Sequence, residues 1–421
     1  MMRQQRATHT NEAVIEERLP NGLRVVTDRV ASVESVTLGI LIEAGSRDDP
    51  EDAAGLAHFI EHAIFKGTGR RSYLDIARDI EKHGGYLDAW TTKEHTCIYL
   101  RCLSRHLEAS FELLADLVSD PVFPPEEIEK EKEVVLEEIS SVEDAPEEMV
   151  FEEFDLRSFP RHPLGRPILG TMESVEGISA SHLTAFIREH YRPSKMILSA
   201  TGNVRHAEIT GLAERFLNRA DMSSGCATRM MFRPEDYRPF NKTLKKRISQ
   251  SQIVQGTAAG RNDRLFYATM ALNSMLGSGM SSLLNLELRE KRGLAYSAYS
   301  AVSFYDDLTT LNIYTGTDAL KIDTALKLIE ELLHGPALLH PDPGEVETAK
   351  AKLLGSHIMG MEKMTRRMSQ VATDISYFGR YVPPEEKTAK IEALTPLDIR
   401  EAARDLILEP PLSTLVYRPS R

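Results

Sequence analysis

The stretch HLEASFELLADLVSDP at residues 106–121 reappears as KIDTALKLIEELLHGP at 321–336, with the same apolar spacing and the same closing proline. The segments that follow also match. EIEKEKEVVLEE, from Glu127, lies over EVETAKAKLLGS, from Glu345, which sets the two copies about 215 to 218 residues apart, half of a 421-residue chain. A duplication on this scale points to two copies of one α/β unit; chance similarity between amphipathic helices is the alternative. The length agrees with a duplication, because single hydrophobic cores stop growing at roughly 250–300 residues. Domains are therefore expected at 12–217 and 242–421, joined by the polar segment 218–241.

Within the first copy, LPNGLRVVTDRV reads as two strands about an Asn21-Gly22 turn, followed by the β-branched strand SVTLGILIEAGS. DDPEDAAGLAHFIEHAIFKGTG has acids and small residues ahead of an apolar stretch and closes on glycines, which are helix start and stop signals. Further helices are expected over 73–83, 106–119 and 125–142, with YLDAWTTKEHTCIYLRCL reading as strand. The expected fold class is α/β, with mainly antiparallel sheets and helices packed on them.

A net charge of −12 argues against nucleic-acid binding, which needs clustered Lys and Arg. The same balance favours basic peptides as ligands. No run approaches the roughly 18 apolar residues of a membrane span, and the start MMRQQRATHTNEAVIEERLPNG has no apolar core of a signal peptide. A cytoplasmic protein without membrane partners is expected. Cys97, Cys102 and Cys226 lack a paired spacing and are expected as buried thiols.

Residues 58, 61 and 62 of HFIEH fall within about a 100° arc of a helix, so one face presents His, Glu and His together. Two imidazoles at i and i+4 can meet one zinc ion, and the carboxylate just before the second can reach water at the metal without ligating. His58 and His62 are thus candidate ligands and Glu61 a candidate general base. The alternative places them as ordinary polar residues of a half-buried helix. A third ligand is needed, and EIEKEKEVVLEEI offers acids. Glu138 shares a helical face with Val134, Val135 and Val142, whereas Glu137 shares one with Lys130, Glu133 and Ser141. Helix phase selects Glu138. Glu131, two turns earlier on that stripe, is placed to orient a ligand.

These residues resemble the pitrilysin, insulin-degrading enzyme and mitochondrial processing peptidase family of inverted zincins, over nearly the whole chain. GLAHFIEHAIFKGT looks like that family's zinc helix and EKEVVLEEI like its distal Glu helix, Glu138 standing 76 residues after His62 in the place of the third ligand. HPLGRPILGT, from His162, and LGSGMSSLLNLELREKRGLAYS, from Leu276, look like family segments outside the metal site. The resemblance implies two related α/β domains forming half of a clamshell, one Zn2+ per chain, a peptide substrate and a homodimer. It implies that Arg289 and Tyr296, from LREKRGLAY, hold substrate and carbonyl oxygen in trans. It also implies that the strand carrying Asp88, Ala89 and Trp90 is an edge onto which substrate adds as a further strand. Asp88 departs from the family's common Asn and Trp90 from its frequent Phe. Trp90 has a core role and a substrate role equally open to it. In the second copy Ser356 takes the place of Glu138 and Ala349 that of Glu131, and no HxxEH lies near 270 to 285. The implied activity is zinc endopeptidase; a structural or chaperone-like subunit, or one active only in a heterodimer, is the rival within the same fold.

Overall fold

A computed structural model describes residues 14–218 and 229–420. In the first half, strands β1 (Ile15–Arg18), β2 (Arg24–Arg29), β3 (Ser35–Ile42), β4 (Tyr86–Thr91), β5 (Thr96–Leu103) and β6 (Met196–Gly202) form one sheet. Its helices are α1 (Leu56–Ala63), α2 (Tyr73–Glu81), α3 (Leu107–Ser119), α4 (Pro125–Glu143), α5 (Pro146–Ser158), α6 (Met172–Glu176), α7 (Ala180–His190) and α8 (His206–Phe216). The second half has β7 (Asn241–Lys246), β8 (Ser251–Gly260), β9 (Ala295–Phe304), β10 (Leu308–Thr317) and β11 (Ser413–Pro419). With them come α9 (Phe266–Leu276), α10 (Ile322–Leu333), α11 (Pro336–Leu339), α12 (Pro343–Gly360), α13 (Met364–Phe378), α14 (Pro384–Glu392) and α15 (Pro396–Ala403).

The duplication is visible in the sheet topology. The first sheet runs β1-β2-β6-β3-β5-β4 and the second β7-β11-β8-β10-β9, so that each strand from β2 onward has a counterpart in the same place. One parallel pair occurs in each, β2 with β6 and β7 with β11, and the other pairings are antiparallel. The expected turn at Asn21-Gly22 joins β1 to β2, with Gly22 at φ 92°, a left-handed conformation that glycine adopts without strain. YLDAWTTKEHTCIYLRCL divides into the hairpin β4–β5, and β4 is the sheet's edge.

Strand β3 is buried throughout Val36 to Ile42, which requires cover on both faces. Val36, Leu38, Ile40 and Ile42 face a core shared with α1, α3 and α4. The opposite face is covered by a helix from the other half: Met368, Val371, Ala372 and Ile375 of α13 pack against Val26, Leu41, Cys97, Tyr99 and Ile197. Gly39 leaves no room for a Cβ beneath the Met368 sulfur. The exchange is reciprocal, because Val150 and Phe154 of α5 pack against Val254, Tyr314, Leu415 and Tyr417 of the second sheet. At about 1.5–3 kcal/mol for each large apolar side chain buried, these crossings interlock the halves.

Charge pairs reinforce the crossing. The Arg47 side chain, fully buried, bonds Glu94 at 2.6 Å and Asp307 of the second half at 2.6 Å. Arg229 bonds Asp48 at 2.8 Å and Asp306 at 2.6 Å. Arg229 belongs to the polar connecting segment, of which 219–228 lie outside the described residues. Cys97 and Cys102 are buried free thiols, while Cys226 lies outside the described residues. Among the described residues no helix is long and apolar enough to cross a membrane.

Candidate metal centre

Helix α1 spans only Leu56–Ala63 of the stretch expected to be helical; two short 3-10 turns, Ser46–Asp48 and Glu51–Ala53, precede it. Its start is fixed by a carboxylate from outside the helix. Asp49 accepts from the backbone N–H of Gly55 at 2.7 Å and of Ala57 at 2.9 Å, meeting orphan donors at the helix start. Burial pushes the Asp49 carboxyl up, while those two N–H groups and Arg166 pull it down. Gly55 sits at φ 90°, and a Cβ there would strike the Leu169 carbonyl, so the HPLGRPILGT segment packs directly on the helix start. Leu56, Ala57, Phe59, Ile60 and Ala63 face the core. His58, Glu61 and His62 are left on the flank turned toward α4 and β4.

The phase of α4 differs from expectation in detail. The fully buried stripe is Ile128, Glu131, Val135 and Ile139, whereas Val134 is 41% exposed. Glu138 lies on the flank of that stripe, its side chain 42% exposed, and reaches sideways toward α1. Glu131 is the deeper carboxylate. Glu133 and Glu137 are exposed, as a solvated charge run would be.

The rings of His58 and His62 have centroids 4.8 Å apart. Glu138 Oε2 stands 3.8 Å from His58 Nε2 and 3.6 Å from His62 Nε2. One ligand atom from each residue falls within 4.8 Å of the others, the only such group of three His, Cys, Asp or Glu residues among the described residues. Ligands about 2.0–2.1 Å from a tetrahedral zinc ion are about 3.4 Å from one another, so modest side-chain movement would bring all three onto one ion. Burial, helped by His62, holds the His58 imidazole down at about 4, which keeps it neutral and able to donate a lone pair. Its Nδ1 is buried without a hydrogen-bond partner.

His62 is better supported. Its Nδ1 lies 3.3 Å from Glu131 Oε2, and Glu131 Oε1 is held at 2.5 Å by Lys66 Nζ. A carboxylate on the outer nitrogen fixes which ring nitrogen is free to ligate. Lys66 went unnoticed in the sequence, although its place one turn after His62 on the same face was available as a signal.

Glu61 is pushed up, first by burial, with Asp88 and Glu138 adding to the rise and Thr91 and His62 opposing it. A carboxyl raised above its ordinary value holds a proton more readily, as a group that accepts one during a reaction must. The edge strand lies alongside: Leu87 and Ala89 pack on the α1 side. Asp88 points to the other face, where Oδ2 accepts from Tyr86 Oη at 2.5 Å and Tyr99 Oη at 2.9 Å and Oδ1 accepts from the Ala89 N–H at 2.9 Å. Three donors hold the extra charge in place. Trp90 packs with Tyr99 and α13, which favours its core role.

Arg289 lies in a short π-helix, Asn285–Glu290, and Tyr296, 78% exposed, is the second residue of edge strand β9. Among the described residues no hydrogen bond or ion pair links either to His58, His62 or Glu138 within one chain.

Residues 24–172 match the family model described as Insulinase (Peptidase family M16), and 177–353 match the Peptidase M16 inactive domain. The chain is 34% identical over 399 residues to an uncharacterized zinc protease of Streptomyces coelicolor, covering 92% of this chain and 86% of that relative. An uncharacterized zinc protease of Bacillus subtilis is 33% identical over 395 residues, covering 92% and 94%. Among solved structures, a protease from Helicobacter pylori superposes with TM-score 0.89 at 20% identity, over 97% of this chain and 99% of that one. A Pseudomonas fluorescens structure described as a peptidase M16 inactive domain gives TM-score 0.88 at 21% identity, over 97% and 98%. These two likenesses bear on the fold.

Proposed function

The chain belongs to peptidase family M16, the insulinase family, and from that premise we propose that it is a zinc metalloendopeptidase cleaving short or unfolded polypeptides inside a chamber closed by two copies of itself. The observation that carries this reading is the convergence of His58, His62 and Glu138 from two helices, with Glu61 beside them.

Zinc held by His58, His62 and Glu138 would supply Lewis acidity, which lowers the pKa of bound water toward ~7. Glu61 accepts the water proton and passes it to the leaving amine. Glu131 and Lys66 keep the His62 ring oriented. The peptide lies along β4, main chain to main chain, at Asp88, Ala89 and Trp90, which makes side-chain selection loose. Arg289 and Tyr296 of a second copy donate to the developing oxyanion; both side chains are exposed, and Arg289 has only a long surface pair with Glu290, at 3.7 Å, to exchange for it. The second half, with Ser356 and Ala349 on α12, serves as chamber wall.

Glu61→Gln tests the reading. It should keep zinc while cleavage of an unstructured peptide falls by about 10²–10⁴-fold, because general-base help has that magnitude. Mixing it with Tyr296→Phe chains should recover part of the activity, since some mixed dimers then hold one intact site. Zinc binding without cleavage by the unaltered protein would instead favour a structural subunit, and activity only alongside a different chain would favour a heterodimer.

A further inference from the structure

Where the second half lacks metal ligands, it holds a cavity. Each edge strand follows a left-handed glycine, Gly84 at φ 63° before β4 and Gly293 at φ 57° before β9. These glycines are 209 residues apart, and so are Lys66 and Met275. On the facing helices Ala349 stands where Glu131 stands. The first half places the Lys66–Glu131 ion pair, at 2.5 Å, beside α4, and Lys66 also borders a cavity of about 390 Å³ with Phe65, Tyr73 and Ala77. The second half has a thioether and a methyl group at these positions, and a cavity of about 210 Å³ lies between α9 and α12, lined mainly by Met275, Leu283, Leu286, Leu338 and Ala349, with the hydroxyls of Ser274, Ser281 and Thr348 also on its wall.

We propose that this cavity binds a neutral monocyclic aromatic group. An apolar cavity of about 150 Å³ already holds benzene, so this one has room for a six-membered ring and a small substituent. Met275 supplies a polarisable sulfur, a favourable neighbour for an aromatic edge. Glu345 and Lys352 also line the cavity with opposite charges, which gives neither anions nor cations a net attraction. The ring can come from a free small molecule or from a Phe side chain of a bound polypeptide. Leu286 is only 36% exposed and lies on the π-helix that carries Arg289, so the cavity opens near the surface proposed to meet substrate.

The test needs neither zinc nor catalysis, so its failure leaves the proposed function untouched. Fluorobenzene is titrated into zinc-free full-length protein and followed by ¹⁹F NMR. Saturable one-site binding is expected, at least tenfold weaker in Ala349→Leu, which fills the cavity from its buried wall. Leu286→Trp, at a partly exposed position that tolerates bulk, should block entry to a similar degree and decides the matter if Ala349→Leu does not fold. Displacement of fluorobenzene by N-acetyl-phenylalanine amide supports a peptide side chain as occupant; displacement by toluene alone supports a free aromatic molecule. No saturable binding by the unaltered protein, or undiminished binding by the folded variants, overturns the proposal.

Discussion

The two halves of this chain share a strand order, a long helix beneath the sheet and a following helix that crosses to the other sheet, yet among the described residues only one gathers candidate metal ligands. Helix α4 carries Glu131 and Glu138 where α12 carries Ala349 and Ser356. Helix α1 presents HFIEH, while α9 reads FYATMALNSML. The shared apolar pattern therefore specifies the fold, and a few polar side chains on one copy specify the chemistry. The second copy has the same sheet and helices without any of the candidate ligands.

The strongest way to break that comparison is to write the second half's residues into the first. Glu131→Ala with Glu138→Ser should lower zinc affinity by at least about 10³-fold, because two helical ligands seldom hold the ion alone. Far-UV circular dichroism should stay unchanged, since α12 forms with these residues. Retention of tight zinc binding by the double variant would separate the metal site from these helices.

Lys66→Met, which writes in the Met275 side chain, is the next step down. It leaves Glu131 buried without its cation, and zinc affinity measured against a competing chelator should fall about 10–100-fold, the range typical for groups that orient a ligand. Lys66→Arg should recover much of the loss.

Acid sharpens the comparison further. Burial holds His190 of the first half down at about 4, and His95 is depressed as well. The unfolded chain takes up these protons near pH 6.5, before the fold does, so the stability present above 6.5 is lost as the pH falls through about 4. On the order of 1–3 kcal/mol is at stake for His190. Hydrogen exchange at pH 5 against pH 7 should show amides of β3, β5 and β6 opening before those of β8, β10 and β11. The smallest effect belongs to Ser356→Glu, a surface change on α12 that should alter neither zinc content nor stability by more than about 0.5 kcal/mol.

Much of this was legible in one dimension. Apolar periods of 3.6 and 2 located the helices and strands, and the i, i+4 spacing of His58 and His62 with a later carboxylate singled out the three residues that the fold brings together. The spacing also exposed the duplication. Other features were not legible because they depend on which surface a segment meets. Nothing in the period of MTRRMSQVATDISYF says that its apolar face covers the first sheet rather than the second. Asp49 caps α1 from beyond the local capping pattern, and only the folded 3-10 turns bring it there. Helix phase put Val134 inward, but that position is on the exposed margin of the stripe, and the same uncertainty of one side-chain width separates Glu138 on the flank from Glu131 in the centre. That Asp88, where the family commonly has Asn, accepts from two phenol hydroxyls depends on Tyr99 of the neighbouring strand, which the local sequence does not bring near.

The most direct test is a crystal grown with zinc and measured above and below the zinc absorption edge. The account predicts an anomalous peak about 2.0–2.2 Å from His58 Nε2, His62 Nε2 and a Glu138 carboxylate oxygen, with Glu61 not among the ligands. A zinc-loaded crystal with no peak between α1 and α4, or with Glu138 turned away from an ion held by other groups, would contradict it.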